Sequence, residues 1–160
     1  MRRYILGITG GVMMLTVSGE LRAQNSTCSS AQDCTQKWLS ALNATKPDMD
    51  TIANFYSTDA VGVFSEGIFT SNTLIAKDLI AQVTNTNAPW KNIKIGYEQD
   101  FQKENASPWS YGCFSATVGG QAVNGYWSVV WMIAGGSWKM QQQTTTLAQM
   151  PISTLCPTAS

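Results

Sequence analysis

Apolar and polar positions alternate along this chain with two different periods. In the first half the period is helical. Cys34, Trp38, Leu39 and Leu42 recur on one side, with Lys37 and Asn43 facing away. The first predicted helix ends at Thr45-Lys46-Pro47, because proline disfavours helical geometry in the residue before it. Asp48 is placed to cap a second, short helix whose apolar face is Met49, Ile52 and Tyr56. Residues 60–64 read as a short strand, and Glu66-Gly67 turns it into a hairpin toward Ile68 and Phe69. Ser71 or Asn72 then caps a third helix carrying Ile75, Leu79, Ile80 and Val83 on one side.

After Pro89 the period falls to two. Ile93, Ile95 and Tyr97 alternate with Lys94, Gly96 and Glu98, as a half-buried strand requires. Residues 111–118, 126–133 and 138–147 read as three more strands. Gly119-Gly120 and Gly135-Gly136 supply tight turns between them. Three helices followed by an antiparallel meander predict an α+β domain, with the helices covering one face of a curved sheet.

The first 23 residues stand apart from this pattern. Arg2 and Arg3 open them, residues 5–17 are apolar and uncharged, and Leu21-Arg22-Ala23 ends on a small residue. That order predicts a signal peptide over 1–23 and one mature domain over 24–160, exported to the periplasm or secreted. The start also resembles a twin-arginine signal, leaving the export route open. The apolar run is shorter than the roughly 20 residues a spanning helix needs, and no second such run follows. No membrane association is therefore expected after cleavage.

Charge and cysteine content narrow the chemistry. The chain has ten Lys and Arg and ten Asp and Glu; removing Arg2, Arg3, Arg22 and Glu20 leaves seven cations and nine acids. No basic run survives, so nucleic acid is not an expected partner. Cys28, Cys34, Cys113 and Cys156 form an even set in a chain read as exported, which predicts disulfides. Three pairings are possible. The preferred one joins Cys28 to Cys34 before the first helix and Cys113 to Cys156 across to the tail. There is no histidine, so Ser-His-Asp and Cys-His catalysis are excluded. With no Cys-x-x-Cys either, no metal is expected. No glycine-rich phosphate loop follows a strand, and no cofactor is predicted.

Three stretches resemble the SnoaL-like, ketosteroid-isomerase-like and nuclear-transport-factor-2-like superfamily. They are residues 36–44 with Asp50 and Ile52; residues 55–60 with the hairpin and residues 71–75; and residues 129–133 with Gly135-Gly-Ser-Trp138. Together they span nearly the whole mature domain in the family's order. The resemblance implies a bent sheet wrapped on helices, leaving a cone-shaped pocket. It also implies where isomerase chemistry would sit, and this chain departs from it there. The helix-one tyrosine corresponds to Trp38, the first-strand base to Phe64 and the third-strand acid to Ser128. Phe64 cannot take a proton, and Ser128 is a poor acid. Asp59, Tyr56 and Tyr126 remain as catalytic candidates; Glu66 lies on the hairpin tip.

By the same resemblance, one side of the third long strand faces the pocket: Tyr126, Ser128, Val130 and Met132. Gln141, Gln143 and Thr145 join them from the last strand, and Trp38, Tyr56 and Phe64 from the helices and first strand. Such a lining suits a neutral, largely apolar small molecule with one or two polar handles. Trp127, Val129 and Trp131 would then lie on the convex face and predict a homodimer there. The expected function is non-catalytic binding of a hydrophobic small molecule or partner. The alternatives are a SnoaL-like isomerase or cyclase and a dimeric interaction module with a filled core.

Overall fold

The computed structural model describes residues 27–104 and 106–148. The expected signal at 1–23 and Cys156 lie outside them, so the Cys113–Cys156 expectation falls partly beyond the described chain.

Each helix starts on a side-chain cap. Ser30 caps α1 (Ala31–Leu42), its hydroxyl 3.1 Å from the Asp33 N–H. Asp48 caps α2 (Met49–Ala53) at 2.7 Å from the Thr51 N–H. Ser71, rather than Asn72, caps α3 (Asn72–Thr84) at 3.2 Å from the Leu74 N–H. A cap of this kind satisfies a donor the helix cannot, and contributes about 1 kcal/mol.

The strands are β1 (Tyr56–Phe64), β2 (Gly67–Phe69), β3 (Trp90–Phe101), β4 (Trp109–Val118), β5 (Gln121–Ala134) and β6 (Ser137–Leu147). They form one sheet in the order β2-β1-β6-β5-β4-β3. The meander from β3 to β6 is antiparallel, as the alternation predicts. β1, however, pairs with β6 in parallel, so the sheet is mixed rather than wholly antiparallel. Tyr56 belongs to β1 and not to the second helix. The Met140 N–H reaches the Phe55 carbonyl at 2.8 Å, and this pairing draws residues 56–59 into the strand. Met49 is correspondingly exposed, leaving Ile52 and Ala53 as the buried face of α2.

The helices cover the inner face of the sheet. Ile52, Ile75, Cys34 and Trp131 are fully buried between the two layers. Burying one such aliphatic or aromatic side chain contributes about 1.5–3 kcal/mol. Shifts of register in β3, between β5 and β6, and along β1 mark bulges, which bend and twist the strands around the helices. At the β3 bulge, the Asn43 amide stands in for a missing strand. Its Nδ2 donates to the Ile93 carbonyl at 2.9 Å, and its Oδ1 accepts from the Ile93 N–H at 3.0 Å.

A Cys28–Cys34 disulfide anchors the approach to α1, as expected. The Cys28 N–H donates to Ser137 Oγ at 2.9 Å, and the Cys28 carbonyl accepts from the Trp138 N–H at 3.1 Å. The start of the described chain is thus stitched to the start of β6.

The facing of β5 is the reverse of the sequence expectation. Trp127, Val129 and Trp131 point inward and are buried, Trp127 at 3% exposure, whereas Tyr126 is 37% exposed. Ser128, Val130 and Met132 share the outer side with Tyr126 and are half-buried there. Side chains alternate strictly along a strand, so an alignment one residue out turns the whole set over.

Candidate functional site

A cavity of about 50 Å³ lies inside the cone between the helices and the sheet. A water molecule needs roughly 10–15 Å³ measured in this way, so the space holds a few waters or a short organic chain. The cone is therefore mostly filled by its own side chains. Its walls are apolar: Leu42 from α1, Leu79 from α3, Ile93 and Ile95 from β3, and Phe114 from β4. The Phe114 ring lies over Gly125 of β5, where a Cβ would overlap both that ring and the Thr146 carbonyl. Only glycine permits this approach.

The polar groups of the cavity are uncharged and grouped. Trp38, Trp127, Gln143 and Thr145 all line it. Tyr56 is buried beside them and donates its hydroxyl to Gln143 Oε1 at 2.5 Å. Burial pushes the Tyr56 phenol far above its ordinary 10.0, so it stays protonated at any physiological pH. Gln143 Nε2 in turn lies 3.4 Å from Thr145 Oγ1. The Trp38 indole sits next to the Tyr56 hydroxyl without reaching hydrogen-bond geometry. Both Trp38 Nε1 and Trp127 Nε1 are buried with no acceptor among the described residues. A bare buried donor costs about 1–3 kcal/mol, so two at one cavity are a marked feature.

The mouth is different. Phe64, Ser65 and Glu66 of the β1–β2 hairpin, Gln82 of α3 and Trp90 of β3 surround it. Glu66 is the charged residue of the lining, where the sequence expectation had none.

The remaining sequence candidates divide sharply. Trp38, Phe64 and Gln143 line the cavity, and Tyr56 lies directly behind Gln143. Tyr126, Ser128, Val130 and Met132 face the other side of the sheet. Gln141 is exposed, because the bulge between β5 and β6 shifts register between Val130 and Trp131. That shift lets Met140 and Gln143, three residues apart, both point inward. Asp59 is exposed on β1 and is no part of the cavity. The sequence reading placed Thr145 in the lining and missed Trp127. A search for strands whose bulky residues share one parity would have found Trp127 with Val129 and Trp131.

One carboxyl on the inner face does have a shifted proton affinity. Burial pushes Glu98 of β3 up from 4.5 to about 7, opposed by a hydrogen bond from Thr35 and reinforced by the charge on Asp100. Thr35 Oγ1 lies 2.9 Å from Glu98 Oε1 and 3.1 Å from the Ala31 carbonyl. One hydroxyl proton cannot serve both acceptors, and a protonated Glu98 resolves the conflict by donating to Thr35. Glu98 nevertheless lies off the cavity wall. Next to it, Trp131 Nε1 donates to Ser110 Oγ at 2.7 Å, and Ser110 donates to Asp100 Oδ1 at 2.5 Å.

No family model matches the chain, and no curated protein matches it. Solved structures do. A nuclear transport factor 2 from Cryptosporidium parvum superposes with a TM-score of 0.58 at 11% identity, over 73% of this chain and 90% of that one. An NTF2-like protein of unknown function from Pseudomonas putida gives 0.61 at 13%, over 81% and 93%. An uncharacterised protein with a cystatin-like fold from Caulobacter vibrioides gives 0.61 at 14%, over 77% and 89%. The chain has the NTF2-like fold. At these identities the likeness is one of architecture, and the activity has to be argued from the site. Among the described residues of this NTF2-like domain, no group of three or more Cys, Asp or Glu is placed to hold a metal ion. None of its described helices is long and apolar enough to cross a membrane.

Proposed function

We propose that the cone binds a short, largely apolar molecule whose hydrogen-bond acceptor is read by the indole N–H groups of Trp38 and Trp127, without chemical conversion. The observation that carries this reading is the pair of buried, unpartnered donors at one cavity. Apolar walls supply affinity, and a few convergent polar groups supply orientation. Gln143 Oε1 is taken by the Tyr56 hydroxyl. The indole donors of Trp38 and Trp127 are left for an acceptor carried by a ligand. Binding without catalysis follows from the same groups: the phenol holds its proton, and Glu98 sits away from the cavity. The part of the ligand that lies inside is neutral, as the sequence suggests.

Titration with pentan-2-one, followed by the indole N–H resonances of 15N-labelled protein, tests the reading. Trp38 and Trp127 should move downfield, and Trp131, already bonded to Ser110, should not. A saturating titration that leaves both cavity indoles in place sinks it.

A second reading concerns the outer face of the sheet. Phe101, Trp109 and Tyr111 stand there exposed and mutually stacked, with centroids 4.6 to 5.6 Å apart. This cluster, rather than the Trp127, Val129 and Trp131 set, supports a homodimer through the convex face. Sedimentation analysis of the protein and its Trp109→Ser variant tests it: a dimer that dissociates in the variant supports the interface, and a monomer at both compositions refutes it.

A further inference from the structure

Glu66 stands at the mouth of the cone, and a second carboxylate, Asp78, lies near it. Glu66 lines the cavity at the hairpin tip, with Ser65 Oγ donating to its Oε2 at 2.8 Å. Asp78 of α3 accepts from Gln82 Nε2 at 2.7 Å, and Gln82 also lines the mouth. Partial burial raises the proton affinity of Asp78, and the charge on Glu66 raises it further, so the two acids act on each other. The ion pair found among the described residues is Lys37–Asp33, on α1. Among the described residues, neither acid has an ion-pair partner. Two like charges held near one another are unfavourable unless something positive lies between them.

The same rim is aromatic. Phe64 and Trp90 line the opening together with Glu66. An aromatic face beside a carboxylate is the pairing that recognises an organic ammonium group, through the ring quadrupole and the opposite charge at once. Apolar walls line the same cavity, and so do Trp38 and Trp127, whose indole N–H groups are buried without an acceptor among the described residues. One cavity thus combines an anionic and aromatic rim, apolar walls and two indole donors.

We infer that the ligand of this cone is a short amphipathic amine: an ammonium group at the mouth between Glu66, Asp78 and the aromatic rim, an apolar spacer, and an acceptor at the indoles. This rests on the binding reading above and names the class of molecule it takes. The acids do not act as catalysts here. Their role is to set which end of the molecule faces outward and to reject carboxylates.

Three probes on a shared methoxypropyl chain test the inference: 3-methoxypropylammonium, 1-methoxybutane and 4-methoxybutanoate, each read by the Trp38 and Trp127 indole resonances at low salt. The ammonium probe should bind roughly threefold to tenfold more tightly than the neutral ether, as exposed charge pairs allow, and the carboxylate most weakly. Raised salt should narrow the gap by screening. The variant Glu66→Gln with Asp78→Asn should bring the ammonium probe to the level of the ether. Glu66 is exposed and Asp78 is half-buried, and both replacements are near-isosteric, so the double variant should remain folded, as its unchanged Trp131 resonance would report. Equal binding of all three probes, or an ammonium preference that survives in the double variant, overturns the proposal. In that outcome the ether still moves the indoles, and the cavity reading stands. If pentan-2-one and all three probes leave the indoles unmoved, the cavity reading fails and the amine proposal falls with it.

Discussion

Loss of the Glu98 proton should make this fold less stable as the solution becomes more alkaline. Burial raises the folded-state value from 4.5 to about 7, so the folded chain holds this proton more tightly than the unfolded chain. The stabilisation is complete below about pH 4.5 and is lost as pH rises through about 7. A move of that size is worth about 3 kcal/mol at full strength. Solvent reaches part of the carboxyl and screens it, so about 1–2 kcal/mol is the expected loss. The perturbation that isolates it is Glu98→Gln. A glutamine amide can donate to Thr35 Oγ1 as the protonated acid does, freeing the Thr35 proton for the Ala31 carbonyl. Urea unfolding at pH 5 and pH 8 should show the decline in the natural chain and its absence in the variant. Burial also raises Asp78, which contributes in the same direction but equally in both proteins. Asp33 and Asp48, held low by hydrogen bonds from Ser29 and Thr51 respectively, act only at lower pH. A variant that keeps the full pH slope, or a natural chain whose stability is flat or rises from pH 5 to 8, refutes the reasoning.

Other perturbations test the packing. Gly125→Ala drives a methyl into the Phe114 ring and the Thr146 carbonyl, and should cost about 1–3 kcal/mol in thermal or chemical unfolding. Gln143→Leu removes the acceptor of the buried Tyr56 hydroxyl and should destabilise by about 1–3 kcal/mol; adding Tyr56→Phe should recover part of that loss, which a double-mutant cycle measures. Cys28→Ser with Cys34→Ser opens the loop before α1 and should lower stability by about 2 kcal/mol, read as a lower unfolding midpoint.

The helices were legible because their signals are local. Ser71 and Asp48 cap where the sequence places them, and Cys34, Trp38, Leu39 and Leu42 are the buried stripe of α1. The meander was legible for the same reason, since the Gly119-Gly120 and Gly135-Gly136 turns, all at positive φ, fix its hairpins. What escaped depends on partners distant in sequence. The first residues of β1 are strand because β6 lies beside them, and nothing near Tyr56 announces that. The facing of β5 was read from a family position at Ser128. The parity of Trp127, Val129 and Trp131 carried the better information, because three such side chains on an open sheet face would lose their burial. Gln141 was misplaced by a bulge that no local pattern in Gln141-Gln-Gln143 betrays. Half of the site followed from the first helix and hairpin; the other half awaited the register of β5 and β6.

The position of β6 bears on how the molecule assembles. The last described strand lies in the interior of the sheet, flanked by β1 and β5, and its Gln143 meets Tyr56 across 87 positions. Loops of that length close late, so the early part of the polypeptide has no finished seam to settle against until β6 emerges. A chain shortened before Ser137 would leave β1 and β5 as two raw edges rather than one trimmed border, and clumping rather than a smaller working protein is the expected fate of such a fragment.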